Sequence, residues 1–120
     1  MTRVLIVDDE PSIRQMVATL LSLEGFQVET AADGRAALQC VLDTMPDLVV
    51  SDVRMPHMNG CELLTAIRAN PSLKSVRFVM LAGFSDDDAA TAQARLLADA
   101  CISKPFSRES LLDTLRSVLA

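Results

Sequence analysis

Four short apolar runs constrain this chain more than any other feature, because each stops abruptly at a polar or flexible residue. Val4-Leu5-Ile6-Val7 gives way to Asp8-Asp9, Leu48-Val49-Val50 to Asp52, Phe78-Val79-Met80-Leu81 to Ala82-Gly83, and Ala100-Cys101-Ile102 to Lys104-Pro105. Unbroken apolar runs of this length suit strands covered on both faces, as in a parallel sheet between helices. In an open α/β sheet the carboxyl ends of the strands share one edge, where ligands bind. Three carboxylates and one ammonium, spread over some hundred residues, are therefore expected at one spot. Such a cluster suits a divalent cation and a phosphoryl group.

The segments between the runs read as helices. Pro11 fits a first helical turn, with Ile13, Met16, Val17, Leu20 and Leu21 on one face and Gly25 as the stop. Residues 26–31 alternate as a strand nearer the sheet edge. Asp33-Gly34 is expected to turn into a helix through Leu38, Val41 and Leu42 that ends before Pro46. A central strand at 47–51, a loop at 55–60 and a helix at 61–69 buried through Leu63, Leu64 and Ile67 follow. A strand at 76–81, a helix from the acidic start at Ser85 to about Leu97, a strand at Ala100–Ser103 and a last helix opened by Ser107-x-x-Ser110 complete the pattern. Five βα units with right-handed crossovers make a doubly wound α/β fold with helices on both faces. The 120 residues are expected to form one domain.

Composition narrows the function. Eleven basic against sixteen acidic residues leave a charge of −5 without a basic cluster, which argues against direct nucleic-acid binding. Apolar stretches of only a few residues exclude a helical membrane span. Cys40, Cys61 and Cys101 are odd in number and lack C-x-x-C spacing. They read as reduced, mostly buried hydrophobes of a cytoplasmic protein. His57 reads as a surface histidine, and Asp86-Asp87-Asp88 as a solvated helix start near the crevice.

In the common doubly wound order, the first and third strands are neighbours that flank the point where the chain reverses direction. Asp8, Asp9 and Asp52 crowded there repel one another unless a cation neutralises them. Oxygen donors at this charge density favour Mg²⁺. Lys104, on a stiff junction with Pro105 and Phe106, is placed to aim a point charge at phosphoryl oxygens, and Lys104-Pro105 is a candidate cis peptide.

These motifs, in this order, resemble the receiver domain of bacterial two-component response regulators. The resemblance rests on Asp8-Asp9, on Asp52 with Met55-Pro56 and Gly60, and on Lys104-Pro105-Phe106, and spans residues 1–120. It implies a flavodoxin-like five-stranded parallel sheet of order 2-1-3-4-5. It implies that Asp52 accepts a phosphoryl group from a sensor histidine kinase or phosphotransfer protein, and that Lys104 binds the phosphoryl oxygens. Mg²⁺ would be held by Asp9, Asp52 and the backbone carbonyl of Arg54, with Asp8 sharing or supporting it. Such a module signals through a downstream protein or fused output domain rather than by enzymatic turnover. The alanine-rich fourth helix leaves room for a homodimer. An isolated receiver and one cut from a larger regulator would look alike.

Two positions depart from the family's pattern. Ala82, followed by Gly83, stands where a Ser or Thr hydroxyl usually meets the phosphoryl group, and Cys101 stands where an aromatic ring usually turns inward. A hydrogen bond to a charged group is worth about 1.5–3 kcal/mol, roughly ten- to hundred-fold in affinity. Its absence puts the usual signal relay in question, while Gly83 adds backbone freedom. Ser85 is a candidate substitute hydroxyl, or a helix cap. A phosphorylation-independent docking receiver is the alternative reading. A phosphatase with an aspartyl intermediate fits poorly, because Arg54 stands where a second aspartate would be needed, and no nucleotide-binding glycine loop is present.

Overall fold

The computed structural model describes residues 2–83 and 86–120, so the readings placed on Ser85 lie outside the described residues. The chain alternates β1 (Arg3–Val7), α1 (Pro11–Leu23), β2 (Gln27–Ala31), α2 (Gly34–Thr44), β3 (Leu48–Asp52), α3 (Gly60–Ala69), β4 (Arg77–Ala82), α4 (Ala89–Leu97), β5 (Ala100–Ser103) and α5 (Arg108–Leu119). All strand pairs are parallel, in the order β2-β1-β3-β4-β5.

The unbroken apolar runs conceal a strict alternation. Leu5, Val7, Val49, Phe78 and Met80 point into one core with Val41 of α2, Leu64 and Ile67 of α3 and Ala94 of α4. Val4, Ile6, Leu48, Val50, Val79 and Leu81 point into a second core with Val17 and Leu21 of α1 and Leu111 and Leu115 of α5. β1, β3 and β4 feed both cores, so few positions between their ends are free to be polar. The outer strands differ. β2 carries exposed Gln27 and Thr30 with half-buried Glu29, and β5 is four residues long with exposed Cys101 and Ser103.

Several local expectations need correction. β3 and β4 each run one residue further than the apolar pattern, to Asp52 and Ala82, because ladder pairing continues past the last large side chain. β2 starts at Gln27, and Phe26 packs beside the second core instead. Asp33 is an N-cap that accepts from the Ala36 amide at 2.8 Å, so Gly34 opens the helix rather than completing a turn. Leu42 is 48% exposed, because Ala37 and Val41 take the buried face of α2. A single 3₁₀ turn at Pro71–Leu73, missed in the sequence, seats Leu73 in the first core. Of the cysteines, all free thiols, Cys61 is buried, Cys40 half-buried and Cys101 exposed. Cys101 fails the buried-filler expectation because its neighbour Ile102 occupies the inward position on β5.

Candidate functional site

Register brings the acids together. Val7 pairs with Ser51, so the residues that follow, Asp8 and Asp52, leave β1 and β3 side by side. Asp9 comes one residue later, and ligand oxygens of Asp8, Asp9 and Asp52 all lie within 4.8 Å of one another. Asp8 is buried, while Asp9 is exposed. Oδ1 of Asp8 accepts from the Glu10 amide at 2.9 Å, and Arg14 holds the Asp8 carbonyl at 2.7 Å. Oδ2 of Asp8 is buried without a hydrogen-bond partner among the described residues. Burial pushes the Asp8 carboxyl above the usual carboxylate range; the Glu10 amide opposes this, and the charge of Asp52 adds to it.

An orphaned buried oxygen beside two further carboxylates is a donor set that suits a small hard dication. The residues present therefore fit Mg²⁺.

Lys104 reaches the same spot from β5. Its amide donates to the Ala82 carbonyl at 2.8 Å, and its Nζ lies 2.7 Å from Oδ1 of Asp52. That oxygen also accepts from the Val53 amide at 2.9 Å, so both bonds fall on Oδ1 and neither on Oδ2. Lys104-Pro105 is cis. Beside Lys104 a cavity of about 410 Å³ is lined by Glu10, Ile13 and Met16 on one side and Gly83 and Phe106 on the other.

The remaining candidates are placed as follows. Ala82 is buried at the end of β4 and offers the site only its backbone. Gly83 needs no glycine conformation here, since an added Cβ would sit in ordinary contact 3.7 Å from Asp86 Oδ2. Cys101 lies exposed on β5, away from the acids. His57 is exposed in the loop after β3, with a left-handed φ of 67°.

Two residues named in the sequence play parts there that their spacing does not assign. Gly60 approaches Asp52 so closely that an added Cβ would collide with the Asp52 carbonyl oxygen, and its amide donates to the Val53 carbonyl at 2.8 Å. Asp86 is not a solvated helix-start acid: it is 4% exposed, accepts from the Gly83 amide at 2.8 Å and pairs with Arg54. Asp87 and Asp88, the latter at the true N-cap of α4, are exposed.

A family model described as "Response regulator receiver domain" matches residues 4–116. The chain belongs to that family. Receivers are signalling modules of two-component systems that bind Mg²⁺ at an acidic pocket. Among relatives, this receiver is 39% identical to a transcriptional regulatory protein CpxR homolog of Haemophilus influenzae over 99% of its length, covering 51% of that regulator. It spans about half or less of that CpxR homolog, of regulatory protein AtoC of Escherichia coli and of the probable transcriptional regulator ycf27 of Guillardia theta, and 85% of Protein PilG of Pseudomonas aeruginosa, at 34% identity. The structure of Vibrio cholerae chemotaxis protein CheY4 superposes with a TM-score of 0.87 at 41% identity, each chain covered to 99%. Response regulator TrrA of Thermotoga maritima, solved in complex with Mg²⁺-BeF, superposes at 0.88 with 30% identity, over 99% of this receiver and all of that chain. Among the described residues, no helix is long and apolar enough to cross a membrane.

Proposed function

We propose that this receiver accepts a phosphoryl group on Asp52 from a sensor histidine kinase or a histidine-bearing phosphotransfer protein. The observation that carries the reading is the meeting of Asp8, Asp9 and Asp52 within 4.8 Å, with the Lys104 ammonium 2.7 Å from the acceptor. Phosphoryl transfer is loose and in line, so a protein contributes mainly position and charge. Asp52 attacks as a carboxylate and needs no general base. The Val53 amide fixes its plane, and Lys104 passes from the resting carboxylate to the arriving phosphoryl oxygens.

Asp8, Asp9, Asp52 and the Arg54 carbonyl would hold Mg²⁺, with the unpartnered Oδ2 of Asp8 as the buried contribution. When bound, the ion screens the repulsion between these acids and the incoming phosphate. The receiver is then a substrate that promotes its own modification, not a turnover enzyme. It signals by protein contact, through the face of β4, β5 and their helices, to a cytoplasmic target, a fused output domain or a second copy.

A second reading, a docking receiver that does not depend on phosphorylation, is favoured by Ala82 and by the exposed Cys101. Intact-mass measurement after incubation with Mg²⁺ and acetyl phosphate separates the two. A phosphate-sized gain that disappears in Asp52→Asn supports transfer. Mg²⁺ binding without any gain supports docking and overturns the first reading.

A further inference from the structure

Asp86 is a buried carboxylate for which phosphoryl transfer has no use. Its Oδ2 accepts from the Gly83 amide at 2.8 Å, and its own amide donates back to the Gly83 carbonyl at 3.1 Å. Its Oδ1 lies 2.6 Å from Nε of Arg54, yet receives no aligned hydrogen bond among the described residues. A carboxylate this deep needs a countercharge, and the one it has sits on a side chain that is 61% exposed to water.

The two groups held by Asp86 come from the segments that leave the sheet beside the acceptor. Arg54 stands two residues after Asp52. Gly83 stands two residues after Leu81, the register partner of Asp52, and it lines the same cavity as Lys104.

We propose that Asp86 is an internal anion that restrains Arg54 and the Gly83 amide in the resting receiver, and that a phosphoryl group on Asp52 draws Arg54 away from it. An aspartyl phosphate carries about −1.5 to −2 charges in place of the single charge of the free Asp52 carboxylate, and offers three acceptor oxygens, against one charge on Asp86. A guanidinium fork matches phosphate oxygens well. Losing Arg54 leaves Asp86 buried and uncompensated, so Asp86 moves toward water and releases the Gly83 amide. Signal would then pass by anion exchange, with no part for a hydroxyl at position 82. The inference rests on Asp52 being the acceptor; it adds no covalent step.

The test follows the Gly83 amide and Arg54 Nε–H resonances of the ¹⁵N-labelled receiver during beryllofluoride titration with Mg²⁺. Both resonances are expected to shift. Asp86→Asn, which keeps an oxygen for the Gly83 amide, is expected to bind beryllofluoride on the order of ten-fold more tightly. Arg54→Gln is expected to bind it more weakly, and to erase the gain when combined with Asp86→Asn. Beryllofluoride binding with an unmoved Arg54 resonance and unchanged affinity in Asp86→Asn overturns the exchange alone. No binding by any form overturns the acceptor reading and the exchange with it. Should Asp86→Asn fail to fold, Arg54→Gln decides: weaker binding supports the exchange, and unaltered affinity overturns it.

Discussion

Asp8 and Asp9 are adjacent in sequence yet differ in burial, and the difference sets their behaviour. Burial raises the Asp8 carboxyl, so the unfolded chain ionises at a lower pH than the folded one. Its contribution therefore erodes stability as pH rises from the ordinary carboxylate value through the raised one, and the loss is complete above it. Without metal, Asp8→Asn is expected to raise the neutral-pH denaturation midpoint relative to wild type, and to flatten that part of the pH profile. With Mg²⁺ the order is expected to reverse, because wild type gains stabilisation that the variant lacks. Thermal unfolding with and without Mg²⁺ at several pH values checks both halves. Asp88 has the opposite sign: the Thr91 hydroxyl and amide hold its carboxyl below the usual range. Its support of α4 is present above the ordinary value and fades as pH falls through the lowered one. Asp88→Asn, which keeps a capping oxygen, is expected to remove that acid-limb dependence, measured as helix signal on acid titration. Chain order alone does not separate these acids: Asp86 and Asp88 are two residues apart in one polar run, and only three-dimensional packing seals one and leaves the other in water.

At the scale of elements, the start of α3 packs directly against Asp52. Asn59 and Glu62 form a reciprocal capping box, with the Glu62 amide donating to the Asn59 side chain at 2.8 Å. Asn59→Ala is expected to cost about 1 kcal/mol in urea denaturation. Gly60→Ala forces the backbone off the Asp52 carbonyl, an overpacking expected to cost about 1–3 kcal/mol. It is also expected to weaken Mg²⁺ binding, which the cap variant leaves near wild type; Mg²⁺ titration of the two separates local stability from site geometry. The order of elements was legible because each apolar run of strand length is followed by a helical period. Their exact ends were not, since ladder pairing and caps, not hydrophobicity, close them. Leu42 shows the same limit: it fits the helical spacing, but smaller Ala37 and Val41 fill the narrow gap under α2.

For the whole molecule, the sheet separates two cores that share no side chain. Ile6 belongs to the core under α1 and α5, Ile67 to the one under α2, α3 and α4. Ile6→Val and Ile67→Val are each expected to cost about 0.5–1.5 kcal/mol, and to add within about 0.5 kcal/mol in the double variant. A larger coupling energy from denaturation would mean that the strands transmit strain between faces. The meeting of distant acids was readable from topology, because strand ends in a doubly wound sheet share an edge. The Arg54–Asp86 pair was not, since a single contact between loops leaves no period in sequence.

The margins of the sheet carry a consequence for assembly. One margin displays Gln27, Glu29 and Thr30, and the other is a stub of four residues that includes solvent-facing Cys101 and Ser103. Neither is a long, flat, greasy template onto which a foreign backbone could zip. An edge of this kind gives little purchase to strand-by-strand stacking of the sort that builds fibrils.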